Sequence, residues 1–492
     1  MAETYKLFID GGWRAALGGE TIPAINPFDQ SVHAHIPVAT ADDVAEAVTA
    51  ARRAYDSQWS KTTPGQRAAL MNRLADLIDA DAERLALLET TDNGKVIRET
   101  GSQMGYAARL FRYYAAWADK VTGDLVPLDQ QDTAGLAIRE PYGVVATITA
   151  WNSPVAILCN TMPAALAAGN CVIAKPSEHA SVTTLEIAKL VEKAGFPAGV
   201  FQVVTGAAAT GQALTASKGI DKISFTGSPG VGRAIAQAGA ANLKPVTLEL
   251  GGKSPNIVFD DCDFDRALVG ALAGIFGATG QTCIAGSRLL VQRGVYDRMV
   301  EGLAARAAQI RMGDPRLPET EMGTAANEPQ FEKILSFIEA AKGDGARLVA
   351  GGGRADGPGL DKGFFVQPTI FADVRNDMKV AAEEIFGPVL SIIPFADEEE
   401  AVAIANDTPY GLASGVWSQN IDRCMRMMRS IRSGVVWVNT YRQAAPQLPF
   451  GGMKDSGYGR VRGHAGLLEW LQTKTVFIDY SGDKRDPFAM KF

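Results

Sequence analysis

Residues 143–154, GVVATITAWNSP, place an apolar, β-branched run directly before a Trp-Asn pair and a proline. An apolar run of this length between breakers is typical of a strand buried on both faces. The pattern recurs downstream, where apolar runs alternate with helical segments. The predicted strands cover residues 144–149, 171–174, 200–204, 222–225 and 246–250, and the predicted helices cover residues 155–166, 182–194, 208–217 and 230–240. This alternation predicts a doubly wound, parallel α/β sheet.

A second alternating set follows, so we expect a second α/β domain. Its predicted strands cover residues 256–259, 287–292 and 435–439, its predicted helices cover residues 263–278 and 295–310, and a glycine-rich surface loop covers residues 343–363. Upstream of the first set, apolar spacing predicts three helices, at residues 41–55, 65–80 and 105–121. Residues 123–140 read as a projecting two-stranded hairpin, and residues 474–478 as a lone strand near the chain end. A hairpin alone is marginal, so we expect it to pair with another subunit.

The bulk composition excludes several classes of protein. A chain of 492 residues with 47% hydrophobic and 21% charged residues is ordinary for a soluble enzyme of two or three lobes. Its net charge of −7 argues against a nucleic-acid or anionic-membrane partner. Five cysteines without a CxxC pair make neither a disulfide framework nor a zinc site, and the histidines show no metal spacing. We see no secretory signal and no membrane span, and expect a cytoplasmic protein.

Three side chains point to chemistry. Cys283 lies in the small-residue stretch GQTCIAG at residues 280–286, Glu249 ends a predicted strand, and Asn152 follows another. A thiol, a carboxylate and an amide are suited to be a nucleophile, a base and an oxyanion donor. The alternative is that Cys283 is a small buried apolar residue, which is the reading preferred for the other four cysteines.

Other residues at predicted strand ends suit a nucleotide. Residues 227–232, GSPGVG, lie between a strand and a helix, where backbone amides favour a phosphate, although GxGxxG is not matched and a plain turn is equally compatible. Lys175 and Glu178 offer a donor and an acceptor for ribose hydroxyls. Glu384 and Phe386 pair a carboxylate with a ring, which suits a second ribose and a flat base. A solvated surface pair is the alternative for Lys175 and Glu178.

These residues together resemble the aldehyde dehydrogenase superfamily, over about residues 5–478. Seven stretches carry the resemblance in the expected order: WNSP at 151–154, KPSE at 175–178, FTGS at 225–228, LELGGK at 248–253, GQTC at 280–283, EIFGP at 384–388 and PFGG at 449–452. The resemblance implies an NAD-binding domain at residues 1–121 and 142–251 and a catalytic domain at residues 252–453. It also implies an oligomerisation element at residues 122–141 and 466–492, and hence a homodimer or homotetramer.

The resemblance implies a role for each site residue. Cys283 is the expected nucleophile, Glu249 the general base and Asn152 the oxyanion donor. The implied cofactor residues are Trp151, Lys175, Ser177, Glu178, Gly227, Ser228, Leu250, Glu384 and Phe386. NAD is expected rather than NADP, because Glu178 near the ribose 2′ position would repel a 2′-phosphate.

The implied reaction oxidises an aldehyde to a carboxylic acid through a Cys283 thiohemiacetal and thioester. A CoA-acylating relative is the nearest alternative, but such members generally lack the glutamate. A non-catalytic binding or structural relative is the other, and such relatives tend to lose the cysteine or the glutamate.

The expected substrate entry departs from the commonest pattern of the superfamily. Aromatic residues usual there are replaced by Ser153, Asn160 and Ala444, with Arg442 close by in sequence. Phe450 is a further expected substrate residue. Hydroxyl, amide and guanidinium groups suit a polar aldehyde, such as a semialdehyde or hydroxyaldehyde, with Arg442 binding a carboxylate. The alternative for Arg442 is a solvated loop residue.

Overall fold

The structure is a computed structural model that describes residues 2–482 and residue 488. The N-terminal segment contains short strands followed by helices. The strands are β1 (Glu3–Thr4), β2 (Leu7–Ile9), β3 (Gly12–Arg14), β4 (Thr21–Ile25) and β5 (Val32–Pro37). The helices are α1 (Ala41–Ser57), α2 (Pro64–Ala80), α3 (Ala82–Asn93) and α4 (Ile97–Ala115).

The prediction of three helices in this segment was wrong, because α3 is an additional one. Only Asp81 separates α3 from α2, and polar residues such as Glu89, Thr90 and Asp92 are buried on it, which blurs the apolar stripe. The helix predicted at residues 105–121 begins eight residues earlier, at Ile97, and ends at Ala115. Its apolar face is buried in the first core, as the spacing predicted.

The predicted alternating region is confirmed, with small shifts at the element ends. After the hairpin strands β6 (Asp124–Val126) and β7 (Thr133–Pro141), the chain forms five strands and four helices. The strands are β8 (Val144–Ile148), β9 (Cys171–Lys175), β10 (Phe201–Val203), β11 (Lys222–Thr226) and β12 (Val246–Glu249). The helices are α5 (Pro154–Ala168), α6 (Val182–Ala194), α7 (Ala208–Ala216) and α8 (Pro229–Ala241).

The remainder of the chain holds the second alternating set and the C-terminal elements. The strands are β13 (Pro255–Val258), β14 (Arg288–Gln292), β15 (Arg347–Ala350), β16 (Thr369–Ala372), β17 (Val389–Phe395), β18 (Ala413–Trp417), β19 (Val435–Val438), β20 (Gly457–Tyr458) and β21 (Leu471–Asp479). The helices are α9 (Phe264–Phe276), α10 (Tyr296–Ala307), α11 (Glu328–Gly343), α12 (Lys379–Ala382), α13 (Glu398–Asn406), α14 (Ile421–Ser430) and α15 (Gly463–Leu468).

The first large sheet has eight strands in the order β20-β12-β11-β8-β9-β10-β2-β3. Its five central strands are parallel, and β20 and β2 pair with them antiparallel at either side. Because β8, β9, β11 and β12 are parallel neighbours, their carboxyl ends meet at one edge of the sheet. Every residue of β8 and β9 is buried, as expected for strands covered by helices on both faces.

The second large sheet has seven strands in the order β15-β16-β17-β14-β13-β18-β19. It confirms a second α/β unit, with its own buried cores on the two faces. The loop predicted at residues 343–363 was wrong in part, since β15 forms there and pairs antiparallel with β16 at the sheet edge. Glycines flank that strand and hid it in the sequence. The predicted domain limits stay a prediction.

The strand predicted to stand alone at the chain end is instead paired. β21 runs antiparallel to β7 from Leu471 opposite Pro141 to Asp479 opposite Thr133, and β6 pairs on the other side of β7. This hairpin sheet exposes apolar side chains, including Leu125 and Phe477. Part of the predicted oligomerisation element, residues 483–487 and 489–492, lies outside the described residues.

Candidate active site

A cavity of about 300 Å³ lies at the carboxyl edge of the first sheet and is closed by loops of the second. Twelve of the residues singled out in the sequence line it. They are Trp151, Asn152, Ser153, Asn160, Gly227, Ser228, Glu249, Leu250, Cys283, Glu384, Phe386 and Phe450. Five others do not: Lys175, Ser177, Glu178, Arg442 and Ala444.

Cys283 is carried into the cavity by a tight turn after α9. Ala278 and Thr279 have φ of 54° and 55°, a left-handed conformation that non-glycine residues seldom adopt. Gly280 follows with φ of 68°, and a Cβ there would lie 2.1 Å from the carbonyl oxygen of Gly387. The turn therefore requires a glycine at this position, and its strained backbone is typical of a functional loop.

Asn152 is held against the cysteine loop. Its Nδ2 donates to the carbonyl oxygen of Gln281 at 3.0 Å, which leaves the second N–H of the amide for another acceptor. Buried Lys95 supports the same turn by donating to the carbonyl oxygen of Asn152 and to Ser153 Oγ. Lys95 was not predicted as a site residue, because nothing in its sequence spacing places it beneath Asn152.

Glu249 is the last residue of β12 and is 6% exposed. Neither of its carboxylate oxygens has a hydrogen-bond partner among the described residues. Burial raises the pKa of the Glu249 carboxyl well above its usual range, and the cations of Arg462 and Arg460 partly oppose this rise. A carboxyl group with a raised pKa and free oxygens is suited to act as a general base or acid.

The thiol and the carboxyl group influence each other. Burial, reinforced by the charges of Glu249 and Glu384, raises the pKa of the Cys283 thiol to about 12. The thiol is therefore protonated at neutral pH in this arrangement, and its attack on an electrophile requires a base to take the proton. Glu249 lines the same cavity and can serve that need.

The opposite side of the cavity offers groups that suit a dinucleotide. Glu384 accepts a hydrogen bond from the Gly252 N–H at 2.9 Å, and the rings of Trp151 and Phe386 meet edge to face at 5.3 Å. Ser228 caps the N-terminus of α8, where the first-turn amides and the helix dipole favour a phosphate. These residues fit NAD: Ser228 for the pyrophosphate, and Glu384 with Phe386 for the nicotinamide riboside.

Lys175, Ser177 and Glu178 lie beyond the cavity lining, at the end of the adjacent strand β9. Lys175 Nζ is 3.6 Å from a Glu178 carboxylate oxygen, and Ser177 Oγ donates to the same carboxylate at 3.4 Å. Burial lowers the pKa of Lys175, and the Glu178 charge opposes that shift. The pair shares the sheet edge with Ser228, so a nucleotide that extends along this edge meets a cation and a carboxylate that suit its second ribose.

The structure does not bring Arg442 and Ala444 into the cavity wall. Arg442 Nη1 instead donates to the carbonyl oxygen of Ala273 at 3.2 Å, in the last turn of α9. A helix C-terminus presents unpaired carbonyls and the negative end of the dipole, which attracts a guanidinium. Ala444 is exposed. The expectation that these two residues line the substrate entry is therefore corrected.

Several lining residues were missed in the sequence. Lys333 and Gln330 come from α11, a helix that the spacing did not reveal, and Thr161 lies one position beyond Asn160 on α5. Arg462 comes from the segment before α15 and lines the cavity beside Phe450. No periodicity marks that segment, so only the three-dimensional contacts identify it.

Within residues 2–482 and 488, no group of three or more histidine, cysteine, aspartate or glutamate side chains is arranged to hold a metal ion. In the same residues, no helix combines the length and the apolar character that a bilayer crossing requires.

Comparison with known proteins gives a uniform result. The sequence model described as "Aldehyde dehydrogenase family" matches residues 13–476. A (Z)-2-((N-methylformamido)methylene)-5-hydroxybutyrolactone dehydrogenase of Acinetobacter baylyi is 45% identical over 99% of this chain and 100% of its own. The betaine aldehyde dehydrogenase of Bacillus subtilis is 42% identical, covering 97% of each chain.

A solved structure agrees. A crystal structure of betaine aldehyde dehydrogenase from Staphylococcus aureus in complex with NAD+ superposes with a TM-score of 0.97, at 37% identity, over 99% of this chain and 97% of the other. The family match over nearly the whole chain, together with the cysteine and carboxylate on one cavity, shows that this chain belongs to the aldehyde dehydrogenase family.

Proposed function

We propose that the protein oxidises a small polar aldehyde, such as a semialdehyde or hydroxyaldehyde, to the carboxylic acid with NAD as oxidant. The observation that carries this proposal is the meeting of Cys283, Glu249 and Asn152 on one cavity. A nucleophile, a base and an oxyanion donor have distinct tasks in this reaction, and the three come from separate elements of the fold.

In the proposed mechanism, Cys283 gives its proton to Glu249, which releases it to solvent before the hydrolysis step, and the Cys283 sulfur attacks the aldehyde carbon. The resulting thiohemiacetal oxyanion is stabilised by the free N–H of the Asn152 amide and by the backbone N–H of Cys283. Bound NAD supplies the hydride acceptor. The thioester left on Cys283 is then hydrolysed by water that Glu249 deprotonates, which releases the acid and frees the thiol.

NAD is proposed over NADP for two reasons. The related Staphylococcus aureus enzyme is in complex with NAD+. In this chain Glu178 lies at the end of β9, on the expected path of the adenosine ribose, where a carboxylate disfavours a 2′-phosphate.

The substrate, assembly and location are proposed on separate grounds. The substrate end carries Ser153 and Asn160, and the relative from Acinetobacter baylyi is named for a hydroxybutyrolactone, an oxygen-rich compound.

The exposed apolar residues of the hairpin sheet support a homodimer or homotetramer. Five free cysteines, one of them the proposed nucleophile, support a reducing location such as the cytoplasm.

The test is NADH formation from a panel of aldehydes, with NAD and NADP in parallel and with or without CoA. The wild-type protein should produce NADH and free acid without CoA. Cys283→Ala should lower turnover by about 10⁴-fold or more, while NAD binding, followed by quenching of tryptophan fluorescence, should be retained. Cys262→Ala, a second partly buried cysteine outside the cavity, is the matched control. Undiminished turnover in Cys283→Ala, or a requirement for CoA, would refute the proposal.

A further inference from the structure

Arg462 lines the cavity without a counterion. Its guanidinium carbon is 4.4 Å from the centre of the Phe450 ring and 6.0 Å from that of Tyr106. Nη1 makes a long hydrogen bond of 3.4 Å to Tyr106 Oη, and the buried Nε has no partner among the described residues. Within residues 2–482, no carboxylate forms an ion pair with it. The two rings therefore contact the guanidinium, and its charge is not neutralised by a neighbouring carboxylate in the described part of the chain.

Two other arginines are engaged differently. Arg460, two residues earlier, donates to the carbonyl oxygens of Gly452 and Gly459 at 2.9 and 2.7 Å. The fully buried Arg288 donates to Lys253, Asn376, Ile404 and Ala405. Those two arginines hold the fold together through backbone contacts, whereas the donors of Arg462 remain available in the cavity wall.

The distribution of charge in the cavity separates two ends. Lys333 lies on the cofactor side, where it interacts electrostatically with Glu384 and Glu383. Arg462 lies on the substrate side with Phe450 and Asn160, and the buried Asn160 Oδ1 also lacks a partner among the described residues. The substrate side therefore holds a cation and an amide whose hydrogen-bonding capacity the protein itself leaves unmet.

The backbone at Arg462 adds an independent observation. Arg462 has φ of 63°, a left-handed conformation that costs energy for a residue with a side chain, and Gly463 follows with φ of 59°. Tyr114 Oη donates to the Gly463 carbonyl oxygen at 3.1 Å and secures the turn. The turn therefore holds Arg462 in a strained backbone conformation from which its side chain lines the cavity.

We propose that Arg462 is the residue that selects the substrate, by binding a carboxylate at the end of the molecule remote from the aldehyde. The proposal rests on the aldehyde oxidation proposed above and narrows its substrate class to short semialdehydes that carry a carboxylate. A guanidinium beside the Phe450 ring can donate from its Nη atoms to a carboxylate, with which it also forms an ion pair. Such an ion pair completes the hydrogen bonding that Arg462 lacks.

The same geometry disfavours cationic aldehydes. A quaternary ammonium group in this end of the cavity would meet the Arg462 charge in a partly desolvated setting, where repulsion is strong. The chain is 42% identical to a betaine aldehyde dehydrogenase. We nevertheless expect betaine aldehyde to be a poor substrate for this protein.

The test compares two substrates of equal length, succinic semialdehyde and its carboxamide, in one enzyme at a time. The ratio of their kcat/KM values cancels every effect common to both, including folding, NAD binding and hydrolysis by Glu249. The wild-type protein should prefer the carboxylate. Arg462→Met should lower kcat/KM for the carboxylate about 10- to 100-fold, mainly through KM, and change the amide little. Arg462→Lys, which keeps the charge but not the fork, should be intermediate.

Arg442→Ala is the matched control, because Arg442 lies outside the cavity lining and should leave the ratio at its wild-type value. A wild-type preference for the amide or for betaine aldehyde would overturn the proposal without any variant having to fold. An equal loss for both substrates in Arg462→Met and Arg462→Lys would also overturn it, and would assign Arg462 to the tuning of Glu249. Absence of NADH with every aldehyde would instead defeat the proposed function itself.

Discussion

The two ends of the cavity are built differently. On the cofactor side, polar groups are already partnered by the protein, as in the contact of Glu384 with Gly252 and the packing of Trp151 against Phe386. On the substrate side, Asn160 and Arg462 carry buried polar atoms without partners among the described residues. Partnered groups give a rigid frame that suits a constant ligand. Unpartnered groups gain most from a ligand that satisfies them, so they are the ones that select it.

Glu249 lies where the two ends meet, and its substitution tests whether they share one chemical step. Glu249→Gln should slow turnover about 10²- to 10⁴-fold, because general-base assistance to thioester hydrolysis is lost. An acyl adduct should accumulate on Cys283 and be visible by mass spectrometry of the intact protein. Glu301→Gln, on the exposed face of α10, is the control and should behave as wild type. Unchanged turnover without an adduct would remove Glu249 from the mechanism.

Glu178 tests the cofactor side alone. Glu178→Gln removes the negative charge near the expected ribose 2′ position but keeps the length of the side chain. The preference for NAD over NADP, measured as the ratio of kcat/KM values, should fall about tenfold, which corresponds to about 1.4 kcal/mol. The carboxylate-to-amide substrate ratio should not change. If the cofactor preference is unaltered, or if the substrate ratio moves with it, the separation of the two ends is wrong.

The smallest expected effect is that of the Arg462 charge, at the substrate end of the cavity, on the pKa of Glu249. The Glu249 base acts when deprotonated, and burial raises its pKa while the Arg462 cation lowers it. Arg462→Met removes the lowering influence, so the acid limb of the kcat–pH profile should move to higher pH. The measurement uses the carboxamide substrate, so that substrate charge plays no part. Arg462→Lys should leave the limb near its wild-type position, and a limb that moves to lower pH contradicts this coupling.

The first parallel sheet and the residues at its carboxyl edge were predictable because the sequence patterns that indicate them are local. Apolar runs such as residues 144–149 and 222–225 identify buried strands, and the parallel topology then places Asn152, Ser228 and Glu249 at one sheet edge. That inference needs only alternation and the right-handed connection rule. Helices such as α3 were not predicted, because buried polar residues interrupt their apolar stripe.

The substrate end was less predictable because side-chain direction depends on distant contacts. Arg442 and Arg462 have the same φ of 63°. One guanidinium binds a carbonyl at the end of α9, and the other stacks on Phe450 within the cavity. The sequence indicated Arg442 as a substrate residue, whereas the structure places Arg462 in the cavity lining, and only the three-dimensional packing reveals that difference.

The pairing of β20 with β12 has a consequence for how the protein is made. Gly457 lies opposite Glu249 and Tyr458 opposite Leu248, and the Leu250 N–H donates to the Ser456 carbonyl oxygen. On the ribosome, the strand that bears Glu249 emerges long before the segment that covers its open edge. The second large sheet, β13 to β19, lies between β12 and β20 in the sequence. Until it has been translated, the open edge of β12 remains a template for unwanted strand pairing. Nascent chains halted before Gly457 should therefore aggregate or occupy chaperones, whatever the state of their thiol.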